Sequence, residues 1–244
     1  MVNLENATAI VTGASSGIGA ATVRSLAAGG ANVVLAARRE DQLNQIANDV
    51  EKEYDGSTAV VPTDVSEESA CVDLIVETVE EYGNIDVLVN NAGLGLGSDV
   101  ADLSSSDYRT MMSVNVDGCF YTTRAAIPHL ADDGHLIYVG SFAGQYPRPS
   151  NPVYAATKWW VRGFALSVAA QYGDDGIAVT VINPAEVRSE FGSEEGDPFR
   201  ERFEPGAASE PEEVAAAIAY AAETGHSVPV EIDLYRRDKL ADSF

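Results

Sequence analysis

The apolar run ATAIVT at residues 7–12 passes directly into GASSGIG at residues 13–19, and this junction limits the fold more than any other stretch of the chain. An apolar run that stops at glycine and restarts as the helical pattern AATVRSLAA reads as strand, tight turn and helix. Gly13, Gly17 and Gly19 carry no side chains, so a ligand can approach the main chain where the first helix presents its free N–H groups. Ser15 and Ser16 add hydroxyl donors. The spacing is Gly-x-x-x-Gly-x-Gly and not the Gly-x-Gly-x-x-Gly of the standard dinucleotide fingerprint, although the strand-to-helix context is the same. Residues 13–17 also fit Gly-x-Ser-x-Gly, the nucleophile elbow of hydrolases. That elbow follows a central strand with others before it, whereas only residues 1–12 precede this one, which favours the anion-binding loop.

Beyond the first unit, apolar runs at residues 32–37, 58–62, 87–90, 135–140, 179–183 and 228–234 alternate with amphipathic segments. These lie at residues 17–28, 40–54, 67–81, 107–130, 152–172 and 211–223. Strands separated by helices predict a doubly wound α/β fold, a parallel sheet of about seven strands with helices on both faces. No short repeat or low-complexity segment interrupts the pattern, so residues 1–244 are expected to form a single dinucleotide-binding and catalytic domain. Residues 190–209, rich in Gly, Pro, Glu and Phe, are too long for an ordinary connection and are expected to form a substrate lid.

Charge disfavours two classes of partner. With 38 acidic residues against 15 basic ones the formal charge is -23, a balance that repels nucleic-acid phosphates and anionic lipid. Only Lys52, Lys158 and Lys239 are lysines. So acidic and lysine-poor a composition resembles that of proteins from salt-loving microbes, where molar salt screens self-repulsion. Cys71 and Cys119 sit in apolar helical patterns and read as buried thiols of a reducing cytoplasm. No stretch approaches the ~20 apolar residues of a membrane span. His129, His135 and His226 share no ligand spacing, so no metal is expected, and each reads as a helix-end or surface residue.

Residues 141–158, SFAGQYPRPSNPVYAATK, collect the chemistry-bearing side chains. Tyr154 and Lys158 are spaced i, i+4 and share one face of a helix. A cation one turn from a phenol favours the phenolate, which matters because an unperturbed tyrosine titrates near ~10. Ser141 ends the apolar run HLIYVG, and strand ends are where open α/β sheets bind ligands. After the second strand, Arg38 and Arg39 stand where a carboxylate would hold the ribose 2′-hydroxyl of NAD and where arginine accommodates the 2′-phosphate of NADP.

These motifs together resemble the short-chain dehydrogenases/reductases over nearly the whole chain. Thr12-Gly13-Ala14-Ser15-Ser16-Gly17-Ile18-Gly19 is similar to that family's Thr-Gly-x-x-x-Gly-x-Gly cofactor loop, and Asn90-Asn91-Ala92-Gly93 to its Asn-Asn-Ala-Gly motif. From the second motif, Asn90, Ala92 and Gly93 are carried over as cofactor contacts. The resemblance puts Asp64, with Val65 beside it, at the adenine. It gives Asn115, Ser141, Tyr154 and Lys158 as a catalytic tetrad. Where the family often has Asn-Pro-Gly, this chain has Asn183-Pro184-Ala185; Pro184 is carried over as a cofactor contact, and Val187 and Ser189 then fall at the nicotinamide carboxamide.

The resemblance implies a Rossmann fold and hydride transfer between NADP(H) and an alcohol, aldehyde or ketone. Tyr154 would act as acid, Ser141 as donor to the carbonyl oxygen, and Lys158 as holder of the nicotinamide ribose. Asn115 would hold a relay water. It also implies a homo-oligomer, tetramer or dimer. A catalytically silent NADP(H)-binding regulator or scaffold of the same fold is the other reading, and the intact Ser, Tyr and Lys set argues against it. The substrate is not legible; Leu94, Leu96, Phe142, Tyr146, Phe191, Phe199 and Phe203 are expected to line its pocket.

Overall fold

In the central strands, such as TAIVT and NVVLAA, successive side chains are buried on both faces, which a strand tolerates only when helices cover both. The computed structural model, which describes residues 4–97, 99–192 and 197–239, has this arrangement. Seven parallel strands, β1 (Thr8–Thr12), β2 (Asn32–Ala37), β3 (Thr58–Pro62), β4 (Ile85–Asn90), β5 (Leu130–Val139), β6 (Ala178–Pro184) and β7 (Glu231–Leu234), pair in the order β3-β2-β1-β4-β5-β6-β7. Ala9, Val11, Val33 and Leu35 face α1 (Gly17–Ala28), α2 (Glu40–Glu53) and α8 (Pro211–Ala222) in one core. Ile10, Val34, Leu88 and Leu136 face α3 (Glu68–Tyr82), α5 (Gly118–Ala126) and α6 (Pro152–Tyr172) in the other. No helix among the described residues is long and apolar enough to cross a membrane.

Three expectations need correction. The helix expected over residues 107–130 is broken: α4 (Ser105–Met112) runs into a π-turn at Ser113–Asp117 before α5 begins, and a short 3₁₀ turn with a proline ends it at His129. Leu130 leaves the helix because it pairs with Ile85, and a register shift absorbs the extra residues before Val87 meets His135. The last strand is shorter than residues 228–234, since the Pro229 and Val230 carbonyls accept from Thr180 Oγ1 and Val181 N before the ladder begins at Glu231. His135, expected at a surface or helix end, is only 3% exposed within β5.

The short helix α7 (Phe199–Arg202) lies inside the segment expected to be irregular, residues 190–209. Residues 193–196 of that segment fall outside the described residues.

Candidate functional site

The sheet order reverses between β1 and β4, and a crevice opens there at the C-terminal strand ends. It holds a cavity of about 560 Å³, walled at one end by the glycine loop and at the other by residues following β5 and β6.

The glycine loop is held open by contacts that leave no room for side chains. Gly13 has φ +66°, and a Cβ there would stand 2.8 Å from Asn91 Nδ2; a Cβ on Gly19 would stand 2.2 Å from the Gly13 carbonyl oxygen. Thr12 Oγ1 donates to Val89 O and accepts from the Asn91 and Ala92 amides, both at 3.0 Å. The Asn91 side chain returns hydrogen bonds to Thr12 O at 2.8 Å and Gly13 O at 3.3 Å. Thr12 and Asn91 therefore lock the two strand ends together under the loop. The N-cap of α1, Ser16, makes no side-chain cap, so the first N–H groups of the helix keep their capacity for an anion.

Of the expected cofactor residues, Ser15, Ser16, Gly17, Ile18, Arg38, Arg39, Asp64, Val65, Ala92 and Gly93 line the crevice with Gly13, and Pro184, Val187 and Ser189 line its far side. Gly19 lies beneath the loop. Asn90 is 7% exposed and turned away: its Oδ1 accepts from Thr122 Oγ1 at 2.6 Å and its Nδ2 donates to Thr123 Oγ1 at 3.2 Å. Asp64 Oδ1 accepts from Ser66 N and Oγ, which fixes the turn after β3.

At the other end, Asn151 Oδ1 caps α6 by accepting from Tyr154 N at 3.1 Å, with Pro152 in the first helical position. This starts the helix where Tyr154 faces the cavity and Lys158 sits one turn deeper. Lys158 Nζ donates to Val139 O at 2.8 Å and lies 5.9 Å from the Tyr154 ring centroid. Ser141 follows β5, lines the same cavity, and its Oγ accepts from Ala143 N at 3.1 Å. Asn115, in the π-turn, spends its amide on the main chain of Leu94: Nδ2 donates to Leu94 O at 2.8 Å and Oδ1 accepts from Leu94 N at 2.9 Å. Its Nδ2 also reaches Thr157 Oγ1 at 3.0 Å, joining the loop after β4 to α6.

A sequence model of the short chain dehydrogenases matches residues 7–198. The chain belongs to that family. An uncharacterised oxidoreductase of Staphylococcus epidermidis is 34% identical over 223 residues, which is 91% of this chain and 93% of the relative. Among solved structures, an alcohol dehydrogenase from the archaeon Thermococcus sibiricus, complexed with 5-hydroxy-NADP, superposes with a TM-score of 0.87 at 28% identity over 95% of this chain and 97% of that one. A short chain dehydrogenase from Burkholderia cenocepacia in complex with NADP gives 0.87 at 26% identity over 96% and 98%.

In this short-chain dehydrogenase the crevice gathers charge that the motifs alone did not assign. Glu186, Glu190, Arg148 and Lys239 all line it. Lys239 Nζ bonds Glu186 Oε1 at 2.6 Å, and the Arg148 guanidinium carbon lies 5.6 Å from the Tyr154 ring centroid. Burial opposes ionisation of the Glu186 carboxyl, but hydrogen bonds and the charges of Lys239 and Arg148 outweigh it and hold the group below its usual value. Leu94, Phe142, Phe191 and Phe199 supply the apolar wall; Tyr146 stacks behind Phe142 at 4.5 Å and Phe203 stands edge-on to Phe199 at 5.3 Å. Leu96 packs with Leu94 in the apolar cluster around Met111 and Tyr154. Only the scarcity of cations in the chain hinted that Lys239 would be spent at the site.

Proposed function

We propose that this protein is an NADP(H)-dependent dehydrogenase/reductase of small alcohols, aldehydes or ketones. The observation that carries the reading is that one crevice joins the glycine loop and Arg39 at one end to Ser141, Tyr154 and Lys158 at the other. The residues fit the cofactor: the loop glycines leave a cradle that a Cβ would fill, the start of α1 lacks a side-chain cap, and Arg38 and Arg39 follow β2 where a 2′-phosphate needs cations.

NADP(H), when bound, supplies or accepts the hydride. Tyr154 gives its phenolic proton to the carbonyl oxygen in the reducing direction and takes it back in the other. Ser141 Oγ donates a hydrogen bond to the same oxygen as charge develops on it. Lys158, fixed by Val139 O, offsets the charge left on the phenol and holds the nicotinamide ribose hydroxyls. Asn115 acts on the substrate wall through Leu94, and since both hydrogens of its Nδ2 are committed to Leu94 O and Thr157 Oγ1, a relay water there donates to an acceptor oxygen of Asn115. The segment at residues 190–209 serves as the lid, with Phe191 against the Tyr154 ring at 5.4 Å.

We further infer a homo-oligomer, supported by the exposed aromatic rings of Phe120 on α5 and Trp159 on α6, and a reducing cytoplasmic setting, supported by the free buried thiols of Cys71 and Cys119. The test is a panel of carbonyl compounds with NADPH oxidation followed at low and molar KCl. Turnover that depends on Tyr154 supports the reading; cofactor binding with no turnover of any carbonyl or alcohol overturns it.

A further inference from the structure

Arg39, the cation nearest the glycine loop, is already engaged. Its Nε and Nη2 donate to Ser15 Oγ at 3.1 and 2.9 Å, and Nη2 also reaches Ser16 Oγ at 2.8 Å. Nη1 meets Glu190 Oε2 at 3.0 Å, a contact spanning 151 residues of sequence. The other oxygen, Glu190 Oε1, accepts from Arg200 Nη1 at 3.0 Å. Glu190 thus rests between two guanidinium groups, and its carboxyl is held below the ordinary range, first by the Arg39 hydrogen bond and to a smaller degree by Ser16.

Two guanidinium groups and a hydroxyl form a site for a small oxyanion, and a carboxylate and a phosphate call on the same planar N–H donors. We propose that Glu190 is an internal occupant of the 2′-phosphate subsite, surrendering Arg39 when a phosphorylated dinucleotide binds and keeping Arg200 as its remaining partner. This rests on the NADP(H) reading above. A cofactor without the phosphate requires no such exchange, so Glu190 narrows the preference that Arg38 and Arg39 create. The exchange also reaches the chemistry. Glu190 is bonded in sequence to Phe191, whose ring contacts both Tyr154 and Phe199, so the carboxylate that leaves Arg39 belongs to the wall of the substrate pocket.

The test is direct titration of NADPH and NADH fluorescence on the wild type, Glu190→Gln, Glu190→Ala, Arg39→Ala and the double variant Arg39→Ala/Glu190→Gln. Glu190 is partly exposed, and thermal melts verify that each variant is folded. The expected result is NADPH binding tightened roughly three- to fivefold by either Glu190 substitution, the size of an exposed ion pair. NADH binding should be unchanged, and the gain should vanish when Arg39 is absent. Weaker NADPH binding in both Glu190 variants would mean that the carboxylate orients Arg39, and equal shifts for the two cofactors would mean a general effect on the loop. Either overturns the inference. If Arg39→Ala costs NADPH no affinity relative to NADH, the 2′-phosphate reading itself fails; if Arg39→Ala selectively weakens NADPH while the Glu190 variants change nothing, only the role of Glu190 does.

Discussion

Lys158 Nζ donates to the main-chain carbonyl of Val139 at 2.8 Å and so pins the first turns of α6 to the C-terminal end of β5. The same bond fixes the ammonium below Tyr154, 5.9 Å from the ring centroid, in a setting where the lysine is 6% exposed. One side chain therefore joins the strand end that carries Ser141 to the helix that carries Tyr154.

Lys158→Ala should then damage more than Tyr154→Phe. The alanine leaves a buried carbonyl without its donor, at about 1–3 kcal/mol of stability, and removes the cation proposed above to hold the ribose. Tyr154→Phe keeps the ring packing and should bind NADPH nearly as the wild type does while turnover falls by roughly 10²- to 10⁴-fold. Cofactor titration and melting of both variants beside their rates would check this. A Tyr154→Phe enzyme retaining more than about a hundredth of the rate points to another proton donor.

NADPH should bind more tightly than NADH by roughly ten- to a hundredfold, since a charge-assisted contact is worth on the order of 1.5–3 kcal/mol. Arg38→Asp should reverse the order, because Arg38 is exposed beside the crevice and a carboxylate there would meet the ribose hydroxyl instead. Competitive binding of the two cofactors decides it, and equal or better NADH binding by the wild type would sink the idea.

The parts of this site that were legible in sequence are the local ones. Gly13 and Gly17 announce positive φ, Tyr154 and Lys158 announce a shared helix face, and the apolar runs announce buried parallel strands, all within a few residues. What was not legible depends on distant partners. Glu190 closes on Arg39 across 151 residues, and Lys239 on Glu186 across 53. The helical pattern of residues 107–130 gave no sign of the π-turn, because a single widened turn barely shifts the apolar period. Asn90 and Asn91 are indistinguishable as letters, yet the pleat sends one toward α5 and the other under the glycine loop.

Gly19→Ala tests the packing beneath that loop. The added Cβ would lie 2.2 Å from Gly13 O and 2.7 Å from Asn91 Nδ2, so the loop must move and the Thr12–Asn91 lock must open. Cofactor affinity should drop at least tenfold while the fold survives, and calorimetric titration of NADPH measures it. Affinity equal to the wild type would show that the loop tolerates displacement.

Salt should stabilise this protein. The 38 acidic residues outnumber the 15 basic ones, so most carboxylates have no cation to pair with. Their repulsion acts over a Debye length of ~10 Å at 0.1 M but ~3 Å at 1 M. Melting temperature and activity should both rise toward molar KCl, and sedimentation should show an oligomer falling apart below about 0.1 M. A flat or falling melting temperature would refute this without touching the family assignment.

Acid should unfold the protein partly through His135. The imidazole is 3% exposed, and its Nε2 lies 2.8 Å from Thr180 Oγ1. Because Thr180 Oγ1 donates its proton to Pro229 O, the ring N–H is the donor in the His–Thr bond. Burial pushes the His135 pKa down to about 4, against an ordinary value of 6.5, with a backbone hydrogen bond to Ala221 opposing it. Between those two values the unfolded chain binds a proton that the folded chain refuses, so stability rises with pH across this window. The contribution is complete above about pH 7 and is lost as the pH falls toward 4, on the order of 3 kcal/mol in all. His135→Gln removes the titration while keeping a donor toward Thr180. Its urea midpoint should therefore fall less steeply than the wild type's between pH 7 and 4.5. The carboxylates that also drive acid unfolding are common to both proteins and cancel in the comparison, so parallel pH profiles would show that the buried ring does not resist its proton.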